Sequence, residues 1–234
     1  MGSGNKILEL LRGIPEPTAD NSILRLTQMM RAAEAEGIDL LDVQKADTAY
    51  HAQLLVSEIV EQHYGKQDLT SDEFFRSYYR RPNHDRDLPY IVTELIPAGC
   101  FTSEAKREVV LHGYSIPEFP VGNAGVDAWL QTFWSTGWVS DAGGPRPSQP
   151  LKLYRGGAEY EVETGFGMSW TRSVGVARWF AFRLGKSGRA MWSAVVGPEA
   201  MLAEFSGRGE AEIVLDPELI ADVRKLTEED TDGK

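Results

Sequence analysis

The chain has 234 residues, 42% hydrophobic and 10% aromatic, which excludes a disordered polymer and is enough for the core of one large domain or two small ones. Its 24 basic and 35 acidic residues leave a net charge of −11, which repels a phosphate backbone at long range and argues against duplex nucleic acid as a partner. The single cysteine, Cys100, excludes an internal disulfide framework and fits a reducing, cytoplasmic compartment.

No uninterrupted apolar run is long enough to span a bilayer, so no membrane partner is expected. The opening MGSGNKILELLRGI has too short an apolar part for a secretory leader, and Lys6 stands where an acylation signal starting at Gly2 needs Ser or Thr. Ile23, Leu26, Met30 and Ala33 share one helical face between the caps Asp20 or Asn21 and the stop at Gly37. A second helix is predicted from Tyr50 to His63, with Ala52, Val56, Ile59 and Val60 on its apolar side and Gly65 ending it.

Shorter helices are expected after Ser71, after Ser103 with a stop at Gly113, and after Gly125. Phe74, Phe75 and Tyr78 in the aromatic stretch 74–87 have the spacing of a core-facing stripe, the alternative being an interaction surface. The four histidines, His51, His63, His84 and His112, lack ligand spacing, and no metal is expected. DAGGPRPSQP, residues 141–150, breaks both helix and strand patterns.

Short β-like runs follow at 151–155, 167–171, 191–196 and 210–215, with a helix, SVGVARWFAFRL, between the second and third. The pattern predicts an α+β protein with a helical region over 1–140, either a separate module or part of the same domain. A β core follows over 150–226, then an acidic disordered tail over 227–234.

The last predicted strand poses a physical question. Glu210 and Glu212 alternate with Ala211, Ile213 and Leu215, so in an extended chain the two carboxylates share one face. A solvated edge strand explains this blandly. Arg155 closes the first strand before Gly156 and Gly157, glycines that permit close backbone approach by a ligand, and its guanidinium suits a diphosphate. Ser169 and Thr171 place two hydroxyls on one face with Trp170 on the other.

Tyr-Arg-Gly, then Ser-Trp-Thr, then Glu-Ala-Glu, in that order and at strand positions, resembles the mono-ADP-ribosyltransferases of the Arg-Ser-Glu class. This is the family of cholera toxin, the clostridial binary toxins and the vertebrate arginine-specific ectoenzymes. The resemblance covers residues 151–217, about a third of the chain. It implies a mixed β core of the ADP-ribosyltransferase type that binds NAD. Arg155 and Gly156 would hold the cofactor, with Arg155 on its phosphates and ribose. Ser169 and Thr171 would form the hydroxyl element, its serine positioning the catalytic Glu212. Glu210 would handle an arginine acceptor. Phe180 and Arg183 match the positions of a nicotinamide-packing Phe and a phosphate-contacting Arg. Phe205 and Arg208, in the loop 204–209, stand where relatives read their target. Trp170 departs from the family pattern, which has a small or polar residue there.

The chemistry is consistent with these roles. Cleaving the N-glycosidic bond of NAD develops oxocarbenium character that a fixed carboxylate stabilises. A second carboxylate can orient a guanidinium and accept its proton. The expectation is a cytosolic mono-ADP-ribosyltransferase of phage or bacterial type, acting on protein arginine, with a host-cell cytosol as the alternative setting. Three other readings stay open: an NAD glycohydrolase, a transferase acting on a nucleic acid or small molecule, and a catalytically silent binding module.

Overall fold

The computed structural model describes residues 11, 14, 22–80, 87–117, 120–207 and 209–227. It is an α+β protein in which helices precede a mixed sheet. The chain divides into two compact units, Met1–Ala124 and Gly125–Lys234.

The first unit is helical: α1 (Ser22–Glu36), α2 (Leu40–His63), α3 (Ser71–Tyr79), α4 (Leu88–Leu95), α5 (Ser103–Ser115) and α6 (Pro120–Ala124). In α1 the buried stripe is Arg25, Met29 and Ala33, while Leu26 and Met30 are exposed, so the helix is rotated from the face that its apolar spacing suggests. The cause lies in α2, where Asp47 is buried and takes the Arg25 guanidinium as partner. His51 completes the group, its Nε2 3.0 Å from Arg25 Nη2 and 3.4 Å from Asp47 Oδ1. Helix α2 starts ten residues before the expected Tyr50, and its first turns pack Leu40, Val43 and Ala46 in a core cluster with Met29 and Ala33.

Helix α3 opens with a reciprocal capping box between Thr70 and Glu73. It buries Phe74 and Tyr78, and Phe74 meets Phe101 edge-on, so these two fill the core as their spacing predicts, whereas Phe75 is only half-buried, against His112. Helix α5 runs through Gly113 instead of stopping there. A Cβ on Gly113 would lie 2.9 Å from the Val92 side chain of α4, so this glycine serves close helix packing and not a C-cap. Helix α4, unanticipated, buries Leu88, Pro89, Ile91, Val92, Thr93 and Leu95 and leaves Tyr90 and Glu94, one turn apart, on its outer side.

The second unit holds α7 (Val126–Thr136), β1 (Val139–Ser140), β2 (Leu151–Ala158), α8 (Glu161–Thr164), β3 (Ser169–Thr171), α9 (Val174–Phe182), β4 (Arg189–Val196), β5 (Met201–Phe205), β6 (Glu212–Leu215) and β7 (Arg224–Lys225). The seven strands are ordered β1-β5-β6-β3-β2-β4-β7, with β1 and β5 parallel and every other pair antiparallel. Strand β5 is unanticipated, and its last two residues fall in the stretch 204–209 expected to be a loop. Its Met201, Leu202, Ala203 and Phe205 are all buried, and such a short apolar run has no alternation to reveal it.

One sheet face carries Leu153, Trp170, Trp192, Ala194, Ile213 and Leu215 in the main core, under Trp138 and Phe166. The other face receives α9 through Ala177 and Ala181, which pack with Tyr154 and Met191. The segment 228–234 of the expected acidic tail lies outside the described residues. Among the described residues, no helix is long and apolar enough to cross a membrane.

Candidate functional site

The strands carrying the singled-out residues are consecutive in space: β2 with Arg155, β3 with Ser169 and Thr171, β6 with Glu212. Thr171 is the direct cross-strand partner of Glu212, and Glu212 in turn of Phe205 on β5. Tyr154 on β2 continues the row on the far side of Thr171. Residues directly opposite one another share a sheet face, so Phe205, Glu212, Thr171 and Tyr154 line up on the face that α9 partly covers. Ser169 lies two residues along on the same face, opposite Val214. Trp170 points the other way into the core, 1% exposed, with its indole N–H donating to the Gly167 carbonyl at 3.1 Å.

Strand β6 is interior to the sheet, which removes the solvated-edge explanation of its glutamates. The shared-face reading of the two carboxylates also fails. The strand begins only at Glu212, and Ala211 before it has a left-handed φ of +45°, so the two-residue alternation does not extend back to Glu210. The backbone at that point is hooked onto the end of β3. Thr171 Oγ1 donates to the Glu210 carbonyl at 2.6 Å, and the Arg172 N–H donates to the Ala211 carbonyl at 3.2 Å. Val214 is as buried as Ile213 and Leu215, so β6 is covered on both faces and Glu212, half-buried, stands at its mouth.

Arg155 alternates with Tyr154 and is paired across the sheet with Trp192, so it is rooted on the core face, opposite to Thr171 and Glu212. Its guanidinium runs past Gly167 to the start of β3. Nε donates to Glu161 Oε2 at 2.6 Å and Nη1 donates to the Ser169 carbonyl at 2.6 Å. The other carboxylate oxygen of Glu161 accepts from the Ala158 N–H at 2.8 Å. Arg155 is thus bonded directly to the hydroxyl strand, through its backbone.

The glycines after Arg155 have an internal purpose. A Cβ on Gly156 would lie 2.0 Å from the Ala177 carbonyl oxygen and 2.5 Å from the Ala181 nitrogen, so the backbone of α9, and no ligand, occupies the approach. A Cβ on Gly157 would meet the Glu161 carboxylate at 2.2 Å.

Phe180 and Arg183 belong to a stack on α9, with the guanidinium 4.6 Å from the Trp179 ring centre and 4.8 Å from that of Phe180. Phe205 sits in β5 and is 5% exposed instead of lying in a surface loop, whereas Arg208 lies outside the described residues. The loop after Phe205 is tied at its start: the Asp141 carboxylate accepts from the N–H groups of Ser206 and Gly207, at 2.8 and 2.7 Å.

Glu161 and Asp141 are the two contributors that sequence reasoning passed over. Each lies in a stretch with no strand or helix pattern, and each acts by receiving backbone or guanidinium donors that only folding brings near. No known protein family, curated protein or solved structure matches the chain.

Proposed function

We propose that the protein is a mono-ADP-ribosyltransferase that cleaves NAD at its nicotinamide–ribose bond and passes ADP-ribose to an acceptor, with protein arginine as the first candidate. The observation that carries this reading is the direct adjacency of the arginine, serine and glutamate strands, with Glu212 and Thr171 in register on one face. A carboxylate held at the half-buried mouth of β6 is suited to stabilise positive charge developing on a ribose ring. Ser169, two residues along on the same face, carries a further hydroxyl, while the Thr171 hydroxyl is engaged with the Glu210 carbonyl.

Arg155 enters this reading first as the residue that ties β3 to α8. Its direct grip on a diphosphate requires the Glu161 carboxylate to exchange for phosphate oxygens, a substitution of one anion for another at the same guanidinium edge. The setting proposed is a cytosol, in keeping with a single, buried cysteine.

The left-handed Ala211 favours a second reading. Because Glu210 does not share the strand face of Glu212, the acceptor-orienting carboxylate of the arginine-specific pattern is displaced. Water would then be the acceptor and the protein an NAD glycohydrolase.

Release of free nicotinamide from NAD, followed with and without a cell lysate or an arginine analogue, tests both. Glu212→Gln is expected to lower turnover on the order of 10²-fold, the scale of losing one preorganised charge-stabilising group. Release that requires acceptor identifies a transferase, and equal release without acceptor identifies a glycohydrolase. Absence of both NAD binding and NAD cleavage by the folded protein defeats both readings and leaves a binding module.

A further inference from the structure

Helix α9 has two sides of opposite character. Ala177 and Ala181 pack on the sheet, one turn apart. The outer side carries Arg178, Trp179, Phe182 and Arg183 at the same one-turn spacing, with Trp179 55% and Phe182 51% exposed. Leu184, just past the helix, is 65% exposed, and Lys186 follows, also exposed.

The local charge is as unusual as the exposure. Between Glu163 and Glu199 the chain contains Arg172, Arg178, Arg183, Lys186 and Arg189 and no Asp or Glu, within a protein of net charge −11. Arg172 pairs with Glu204 at 3.0 Å, and Arg189 donates to the carbonyls of Ala181 and Phe180 at the end of α9. Arg178, Arg183 and Lys186 stay exposed around the apolar trio.

We propose that this face docks on an anionic lipid surface, with Trp179, Phe182 and Leu184 entering the boundary between headgroups and acyl chains while Arg178, Arg183 and Lys186 meet lipid phosphates. The contact lies in the plane of the interface and does not span it. Screening confines charge effects to about 8 Å at physiological salt, so the cations beside the apolar trio weigh more in adsorption than the net charge of the whole chain.

Two other occupants fit the observations less well. Single-stranded nucleic acid stacks bases on open aromatic faces, but Arg183 already covers rings of Trp179 and Phe180, and the most exposed apolar chain, Leu184, cannot stack. A second copy related by a two-fold axis would set cations against cations.

The test is co-sedimentation of the full chain with phosphatidylcholine vesicles, with and without phosphatidylserine, over a range of salt concentrations. Binding is expected only with phosphatidylserine and is expected to weaken as salt rises. The exposed-site variant Trp179→Ser/Phe182→Ser/Leu184→Ser should reduce it at least about tenfold, because interfacial affinity scales with inserted apolar area. Arg178→Glu/Lys186→Glu should remove the preference for phosphatidylserine, with circular dichroism verifying that each variant is folded. Three results would overturn the proposal: no sedimentation of the folded wild type with phosphatidylserine vesicles, binding unaltered in both variants, or retention by a single-stranded oligonucleotide without vesicle binding.

Discussion

The buried group Arg25–Asp47–His51 illustrates how single residues set structure in the helical unit. Burial, the largest influence on the Asp47 carboxyl, raises its pKa, but the hydrogen bond from His51 and the Arg25 guanidinium together hold it below the ordinary carboxylate range. A carboxyl depressed in the folded state contributes its full stabilisation above the unfolded value of about 3.9, and loses it as pH falls toward the lower folded value. Asp68, held down by His63, and Glu73, held down by Thr70, act in the same direction, so the informative comparison is with a variant. Asp47→Asn should cost about 3–5 kcal/mol at neutral pH by stranding a buried guanidinium. It should also lose less of its remaining stability than the wild type between pH 4 and 3, a difference that thermal melts across that range would measure. At the candidate site the same logic applies to Arg155, whose position reflects Glu161 and the Ser169 carbonyl as much as any ligand.

At the scale of elements, the contact between α9 and β2 positions the site's surroundings. The helix backbone sits so close over Gly156 that no side chain fits beneath it. Gly156→Ala is therefore expected to push α9 off the strand and cost more than the roughly 1–3 kcal/mol typical of overpacking, because the opposing atoms are backbone. Gly113→Ala, which meets only the Val92 side chain, should cost less. Comparing the melting temperatures of the two variants checks the ordering, and equal effects would mean that α9 does not pack as described. Capping follows the same principle of local satisfaction: Ser173 accepts from the Val176 N–H at 3.3 Å and fixes where α9 begins, directly after the hydroxyl strand.

For the whole molecule, the two core clusters of the sheet, around Trp170 and Trp192 and around Ala177 and Met191, draw every member from the second unit. A fragment spanning 125–234 should accordingly fold by itself and unfold cooperatively, as read by circular dichroism on heating. A non-cooperative, molten fragment would show that the sheet depends on the helical unit. If the fragment folds, it also offers the simplest material for locating NAD binding within the chain.

The sequence alone specified the broad arrangement. Period-3.6 stripes and caps marked several helices, apolar runs marked β2, β3, β4 and β6, and the order Arg155, Ser169, Glu212 singled out three strands that prove to be neighbours. These features are local, or depend only on the residue types along one strand. Tertiary structure decided what depends on distant partners: the rotation of α1 around Arg25, the continuation of α5 through Gly113 and the interior place of β6. It also decided the left-handed break at Ala211 that separates Glu210 from the face of Glu212. A buried charge, a glycine beneath a helix and a strand's neighbours are fixed by what packs against them, and residues far apart in sequence supply that packing.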